Sequence, residues 1–333
     1  MKFEDNRDTY IKIATLYYLG EKSQDEIAQI FHISRFKVGR VLKKCRTHRI
    51  IEFHISNHAE YFANLRQQIR ELLSTEQVMI APSGFTLQES KENVAIMAAN
   101  YLERKIKGGM NIGLSWGSTI QLTLRYFNPS TPKPKAQFVQ LSGNVCFNPI
   151  IQEGYMDGSI FVQKFAAKAQ AGWSAFQAPY VVKNPALKEL LFQEPQILKH
   201  ISLFNKLDMA LIGVGSSNPE RSVSYLSGYL TLEETKKLVD DGMGADICGT
   251  RLTSNGQIRE IELKNRVITI DLMELHKLSE VCAVGAGSEK ALSFIAGCKG
   301  GYIKKVIIDE LCALSIIANQ EILKANNKFA TVH

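Results

Sequence analysis

The chain has no long apolar run. Across its 333 residues nothing reaches the roughly 18 consecutive apolar residues that a membrane span needs. Its first ten residues, "MKFEDNRDTY", are charged and lack the apolar core of a secretory leader. No membrane partner is expected, and the cytoplasm is the expected compartment. Cysteine is sparse and scattered. The six, at 45, 146, 248, 282, 298 and 312, never form C-x-x-C and sit mostly in apolar segments, so they suggest buried thiols and neither a disulfide framework nor a zinc site. Proline and glycine are nearly absent before Pro82, which leaves no room there for a long flexible linker. What is present, 45% hydrophobic and 22% charged residues, is the composition of a globular chain long enough for two or three domains.

Acid is missing from one stretch. Between positions 31 and 50 there are seven Lys or Arg and no Asp or Glu, a local footprint of a nucleic-acid surface within a net charge of +7. The helical period around it fits. Tyr10, Ile13, Ala14 and Tyr17 share a face before Gly20, and Ser23 with Glu26 forms a capping box that opens a second short helix. His32 and Ile33 turn the chain, and Ser34 caps a third helix with a buried stripe of Val38, Val41, Leu42 and Cys45. This is a helix-turn-helix. Its third helix exposes Phe36, Lys37, Arg40, Lys43 and Lys44, with Ser34 and Arg35 at its N-terminal end. Arg35, Lys37 and Arg40 are expected to read bases, Phe36 to meet a thymine methyl, and Lys43, Lys44 and Arg46 to contact phosphates of a double-stranded DNA operator. A strand over residues 50–55, "IIEFHI", would add a small wing.

A polar helix over residues 56–75, with Phe62, Leu65, Ile69, Leu72 and Leu73 on one face, is expected to connect this region to the rest and to pair across a dimer. Strand-like and helix-like segments then alternate: 78–81 with 93–105, 111–115 with a helix from 118, and 137–141 with 159–168. Further pairs are 209–214 with 232–239, 281–284 with 288–298, and 305–308 with 310–323. Such alternation predicts a parallel sheet covered by helices on both faces, a Rossmann-like α/β domain. Asn255-Gly256, within residues 251–262, is expected to turn a hairpin. Ligands of such sheets bind beyond the carboxyl ends of the strands. In this sequence those ends are Gly117-Ser118-Thr119, Ser142-Gly143-Asn144, Gly213 to Ser217, Gly242-Met243-Gly244 and Gly285-Ala286-Gly287-Ser288, small residues that let backbone N–H groups approach an oxyanion.

One of these loops raises an alternative. Gly113-Leu114-Ser115-Trp116-Gly117 matches the G-x-S-x-G elbow of a serine hydrolase. However, Ser115 falls inside the strand, a single strand precedes it, and His200, His276 and His333 lie in no obvious loop after a strand. A phosphate pocket is the better reading. A sugar-phosphate isomerase on the same sheet would instead need an acid or base, for which Asp157, Asp246 and Glu260 are the candidates. A constitutive DNA-binding or scaffold protein is the third alternative.

Together with the helix-turn-helix, "IGLSWGSTI", "QLSGN", "APYVV", "DMALIGVGS", "GADICGTRLTSNG" and "AVGAGSEKALSFIAGCKGGYIKKVIIDELCA" make the chain resemble the SorC family of bacterial sugar-responsive transcriptional regulators. The resemblance implies α/β architecture: a helix-turn-helix domain over residues 1–57, a connector over 58–76 and, over 77–325, a Rossmann-like effector domain related to sugar-phosphate isomerases and CoA transferases. It implies a phosphorylated sugar effector, a homodimer or homotetramer, regulation of a carbohydrate-utilisation operon with RNA polymerase as a further partner, and no catalysis, cofactor or metal. Carried onto this sequence, the effector site is Gly117, Ser118 and Thr119 with Gly285, Gly287 and Lys290, joined by Gly143, Gly213, Gly215 and Asp246. Two positions depart from the family pattern: Ala245 precedes Asp246, and Asn144 follows Gly143.

Overall fold

Side-chain caps set the first region. In the computed structural model, which describes residues 3–48, 50–51, 58–145, 158–175, 177–220 and 222–319, Asn6 accepts the Thr9 N–H and opens α1, Arg7–Tyr18. Ser23 and Glu26 form a reciprocal capping box at α2, Gln24–Phe31, and Ser34 accepts the Lys37 N–H at α3, Arg35–Thr47. His32 ends α2 in the left-handed region, φ 52°, so the chain reverses within three residues. The three helices bury Tyr10, Ile13, Ala14, Ile27, Ala28, Phe31, Val38, Val41, Leu42 and Cys45 together, including the stripe that the spacing predicts. The expected wing falls mostly outside the described residues.

Contacts divide the chain into two compact units, Met1–Tyr61 and Phe62–His333. Helix α4, His58–Leu73, buries Phe62, Leu65, Ile69 and Leu73, while Leu72 is half-buried. The larger unit then runs β1 (Gln77–Ala81), α5 (Leu87–Lys105), β2 (Asn111–Leu114), α6 (Ser118–Tyr126), β3 (Gln137–Gln140), α7 (Gly158–Ala169) and β4 (Gly172–Ser174). It continues through α8 (Pro185–Leu191), α9 (Pro195–Ile201), β5 (Met209–Ser216), α10 (Val223–Leu226), α11 (Leu232–Asp240), β6 (Ala245–Ile247) and β7 (Thr250–Leu252). Last come α12 (Leu272–Lys277), β8 (Val281–Gly285), α13 (Ala291–Lys299), β9 (Lys305–Asp309) and α14 (Glu310–Ala318).

The sheet order is β1-β9-β8-β5-β2-β3-β4, and every neighbouring pair along it is parallel. Strands β8 and β9 are buried along their whole length, which is why they read as continuous apolar runs. Connections from β1 to β4 step toward one edge, and those from β4 to β9 step back toward the other. Right-handed crossovers therefore put α5, α6 and α7 on one face and the later helices on the opposite one. The direction reverses between β2 and β5, which are hydrogen-bonded neighbours. That junction is a topological switch point, where the ends of adjacent strands diverge and leave a crevice.

Several local expectations need correction. The helix expected over 93–105 begins at Leu87, because Thr86 caps it by accepting the Glu89 N–H at 3.1 Å. The main antiparallel hairpin pairs β6 with β7 and turns at Cys248-Gly249, both at positive φ, 48° and 82°. Asn255-Gly256 instead closes a smaller turn that leaves one bridge, Leu252 to Ile258. The expected alternation leaves out β4, β6, α8, α9, α10 and α12. Strand β4 is three residues long, too short to show a period, and α8 and α9 have seven residues each, opening on Pro185 and Pro195.

Candidate functional site

The switch point is held shut by the serine of the would-be elbow. Ser115 is buried; its Oγ accepts the Gly213 N–H at 2.8 Å, and its own N–H donates to the Leu211 carbonyl at 3.3 Å. It thereby ties the end of β2 to β5. Two residues on, Gly117 adopts φ 150° and ψ 160°, a conformation that side-chain-bearing residues rarely reach. That twist starts α6 with no side-chain cap, leaving its first N–H groups without an intrahelical partner.

These N–H groups border a cavity of about 280 Å³. Of the expected effector residues, Gly117, Ser118, Thr119, Gly213, Gly215, Asp246, Gly285 and Lys290 line it, together with Lys91 and Glu289. Two expected residues stand behind the lining. A side chain at Gly143 would collide with the Pro179 carbonyl at 2.4 Å, so this glycine serves close strand packing. Gly287, at φ 98°, spends its N–H on Asp309 at 2.9 Å. Even among the lining glycines, Gly215 makes room for protein: a Cβ there would lie 2.8 Å from Asp246 Oδ2, its partner across the β5–β6 ladder. Lys290 is half-buried, and burial, reinforced by Lys91, pulls its pKa below the usual lysine value against Glu289 and Asp246.

Asp246 does not stand alone. Its carboxylate pairs with Arg251, which is itself buried and donates to Ser224 Oγ at 2.9 Å. Asp246 Oδ1 accepts the Gly249 N–H at 2.8 Å and so closes the Cys248-Gly249 turn. A side chain at Gly249 would meet the Tyr180 hydroxyl at 2.4 Å. Tyr180 in turn sets its ring edge-on to Trp116, 5.0 Å between centroids, and both rings line the cavity. Lys91, Trp116, Tyr180 and Arg251 were missed by the sequence reading; Lys91, Trp116 and Tyr180 come together at the cavity from elements far apart in the chain, whereas Arg251 pairs with Asp246 within one hairpin. The Gly-Ala-Asp-Ile-Cys-Gly segment was the available signal for the turn.

In the three-helix unit, Ser34, Arg35, Phe36, Lys37, Arg40, Lys43, Lys44 and Arg46 are all exposed. Their surroundings differ. Arg35 lies 3.5 Å from Asp25, and Lys37 sits over the Phe3 ring, 3.9 Å from its centroid. Lys44 donates to the Tyr10 hydroxyl at 2.8 Å and lies 3.4 Å from Asp5, the bond to Tyr10 chiefly raising its pKa. Arg40 and Lys43 carry no ion pair among the described residues. Phe36 is 81% exposed, unusual for a phenylalanine with no surface to cover it.

Residues 57–318 match the family model described as a putative sugar-binding domain. The chain belongs to this sugar-binding-domain family. Its relatives extend the match over most of the chain: it is 24% identical to the transcriptional regulator LsrR of Enterobacter sp. (strain 638), over 92% of each chain. It is also 26% identical to the deoxyribonucleoside regulator of Bacillus subtilis (strain 168), over 92% of this chain and 96% of that one. The fold matches that of the full-length sorbitol operon regulator SorC from Klebsiella pneumoniae, with a TM-score of 0.70 at 22% identity, covering 96% of this chain and all of the other. The SorC-family resemblance and the α/β fold class both stand, and regulators among the relatives favour regulation over the isomerase alternative.

Of the remaining enzyme candidates, His200 and Glu260 are engaged elsewhere. His200 donates from Nε2 to the Gln140 carbonyl and accepts from the Ser174 hydroxyl at Nδ1, both at 2.8 Å. Burial, outweighing the Gln140 bond, pushes its pKa down to about 4, so it is a neutral core histidine and no partner of Ser115. Glu260 pairs with Lys264 on the surface, and Asp157 and His333 lie outside the described residues. Among the described residues no cluster could hold a metal, and no helix is long and apolar enough to cross a membrane.

Proposed function

We propose that the chain is a cytoplasmic, DNA-binding transcriptional regulator of a carbohydrate-utilisation operon, controlled by a phosphorylated sugar and without catalytic activity. One observation carries the effector class: an uncapped helix N-terminus at Gly117-Ser118-Thr119 opens into a cavity that Lys290 and Lys91 also line. Backbone N–H groups, hydroxyls and two ammonium groups are what a phosphate monoester of nearly two negative charges would need. The aromatic wall of Trp116 and Tyr180 suits the apolar face of a sugar ring. Helix α3 enters the major groove, with Arg35, Lys37 and Arg40 toward base edges and Lys43, Lys44 and Arg46 toward phosphates. Because one such helix reads few base pairs, the regulator acts as a homodimer or homotetramer on repeated half-sites.

The test is a titration of sugar phosphates against a preformed protein–operator complex, followed by fluorescence anisotropy. One phosphorylated sugar is expected to shift operator affinity while its unphosphorylated form does not. At about 100 times its Kd it should also stabilise the larger unit by roughly 2.7 kcal/mol. Turnover of any member of the panel would restore the isomerase alternative, and operator binding indifferent to every member would leave a constitutive DNA-binding protein.

A further inference from the structure

Behind the cavity, one carboxylate joins the two walls that bear its lysines. Asp309, at the carboxyl end of β9, is fully buried. Its Oδ1 accepts the Gly287 N–H at 2.9 Å and the Cys312 N–H at 3.2 Å, and its Oδ2 accepts the Ser83 hydroxyl at 3.0 Å. The first bond fixes the loop between β8 and α13, which delivers Lys290. The second caps α14. The third fixes the loop between β1 and α5, and α5 carries Lys91 into the same cavity. Ser83 is gripped from its other side as well, since its Oγ accepts the Leu311 N–H at 3.0 Å. Neither Ser83 nor Asp309 is part of the lining.

We propose that Asp309 and Ser83 are positioning residues that set the separation of Lys91 and Lys290, and through it the affinity of the cavity for a phosphate monoester dianion. Two ammonium groups on different elements repel each other, and without a tie the loops that carry them would relax apart. Lys290 registers that repulsion: burial and the charge of Lys91 lower its pKa, while Glu289, Asp246 and Cys312 act in the opposite direction. A dianion between the lysines replaces repulsion with attraction, and a site already held at the right width loses less on binding than one that must close. The proposal rests on the phosphate reading of the cavity.

Ser83→Ala tests it, because it cuts the arm to the β1–α5 loop while leaving Asp309 to hold Gly287 and cap α14. Calorimetry of inorganic phosphate on the full chain should give about threefold to tenfold weaker binding, the scale of a net hydrogen-bond contribution, as the bonds to Asp309 and from Leu311 are both lost. Lys91→Met in the Ser83→Ala background should then cost less than it does alone, since Lys91 is already displaced. On the same variants without phosphate, NMR titration of ¹³C-dimethylated lysines should show the Lys290 pKa rising in Ser83→Ala. Ser83→Thr restores the hydroxyl and should return both readouts to wild type. Unchanged phosphate binding, losses that simply multiply, an unmoved Lys290 pKa, or a Ser83→Thr that behaves like Ser83→Ala would each overturn the proposal. If the Lys290 pKa moves but the wild-type chain binds no phosphate, the tie stands and the phosphate reading falls.

Discussion

The three-helix unit closes its core within the stretch from Tyr10 to Cys45, whereas the cavity of the sheet unit collects its lining from Leu87 to Lys290. In the first, each helix is announced by a cap within a few residues of it, and the buried stripe follows from the 3.6-residue period. In the second, several residues have their partners far along the chain. Ser115 has its meaning from Gly213, Gly215 from Asp246, and Gly287 from Asp309. A locally determined unit is small and thinly buffered, while a unit built from crossovers is large and depends on a few long-range ties.

The largest effect should come from the small core. Ile27 is fully buried, and Ile27→Ala should cost about 2–5 kcal/mol, comparable with the whole stability of so small a unit. Operator binding should be lost while effector binding to the sheet unit persists, measured by anisotropy and calorimetry on the same sample. Joint loss of both would mean that the two units fold as one, and the contrast drawn between them would fail.

In the sheet unit the corresponding weak point is a charge cluster at the amino ends of β8 and β9. Glu280 accepts from Lys105 at 3.1 Å and from Lys305 at 2.5 Å, and it also pairs with the Tyr101 hydroxyl. Burial raises its pKa, but the bonds from Lys305, Tyr101 and Lys105 prevail and hold it below the usual glutamate value. A depressed carboxylate contributes stability that is present above its unfolded pKa and is lost as the pH falls through its folded one. The melting temperature should therefore decline from about pH 4.5 downward and lose that part of its pH dependence in Glu280→Gln. That variant should cost up to about 3 kcal/mol, the low end for a buried pair broken on one side, because the site is partly open to water. A flat difference between the two proteins across this range would remove Glu280 from the account.

Within the cavity, Thr119→Ala and Lys290→Ala should each weaken the effector response by roughly 1–3 kcal/mol, the worth of a hydrogen bond to a charged group. Operator binding without effector should be unchanged. Equal effector midpoints in both variants and wild type would move the phosphate elsewhere. Smallest of all, Ser23→Ala removes the hydroxyl that accepts the Glu26 N–H and should cost about 1 kcal/mol of the three-helix unit alone. Hydrogen exchange confined to α2 would register it; a change spread through the sheet unit would contradict the separation.

How much could be read in advance follows the same division. Asn6 apart, the caps of the first three helices, the turn at His32 and the buried stripe of α3 were legible because helix signals act within four residues. The alternation of strands and helices was legible too, since buried parallel strands leave apolar runs. The small-residue loops pointed to the carboxyl ends of the strands, and eight of the ten expected residues line one cavity. Beyond that point the sequence misled. Asn255-Gly256 has the stronger hairpin composition, yet the larger hairpin turns at Cys248-Gly249, where Asp246 accepts the Gly249 N–H and Tyr180 leaves no room for a side chain.

By itself, then, the sequence determined most of the longer helices and strands, that the basic helix is exposed, and which loops carry small residues, because these depend on period, capping and side-chain size along the chain. The tertiary structure alone decided that Ser115 clasps β2 to β5, that Gly215 makes room for Asp246, and that Lys91 joins Lys290 at one cavity. Each of those facts is a pairing of groups far apart in the chain. The order in which parallel strands lie beside one another brings them together, and that order leaves no periodic trace in the residues themselves.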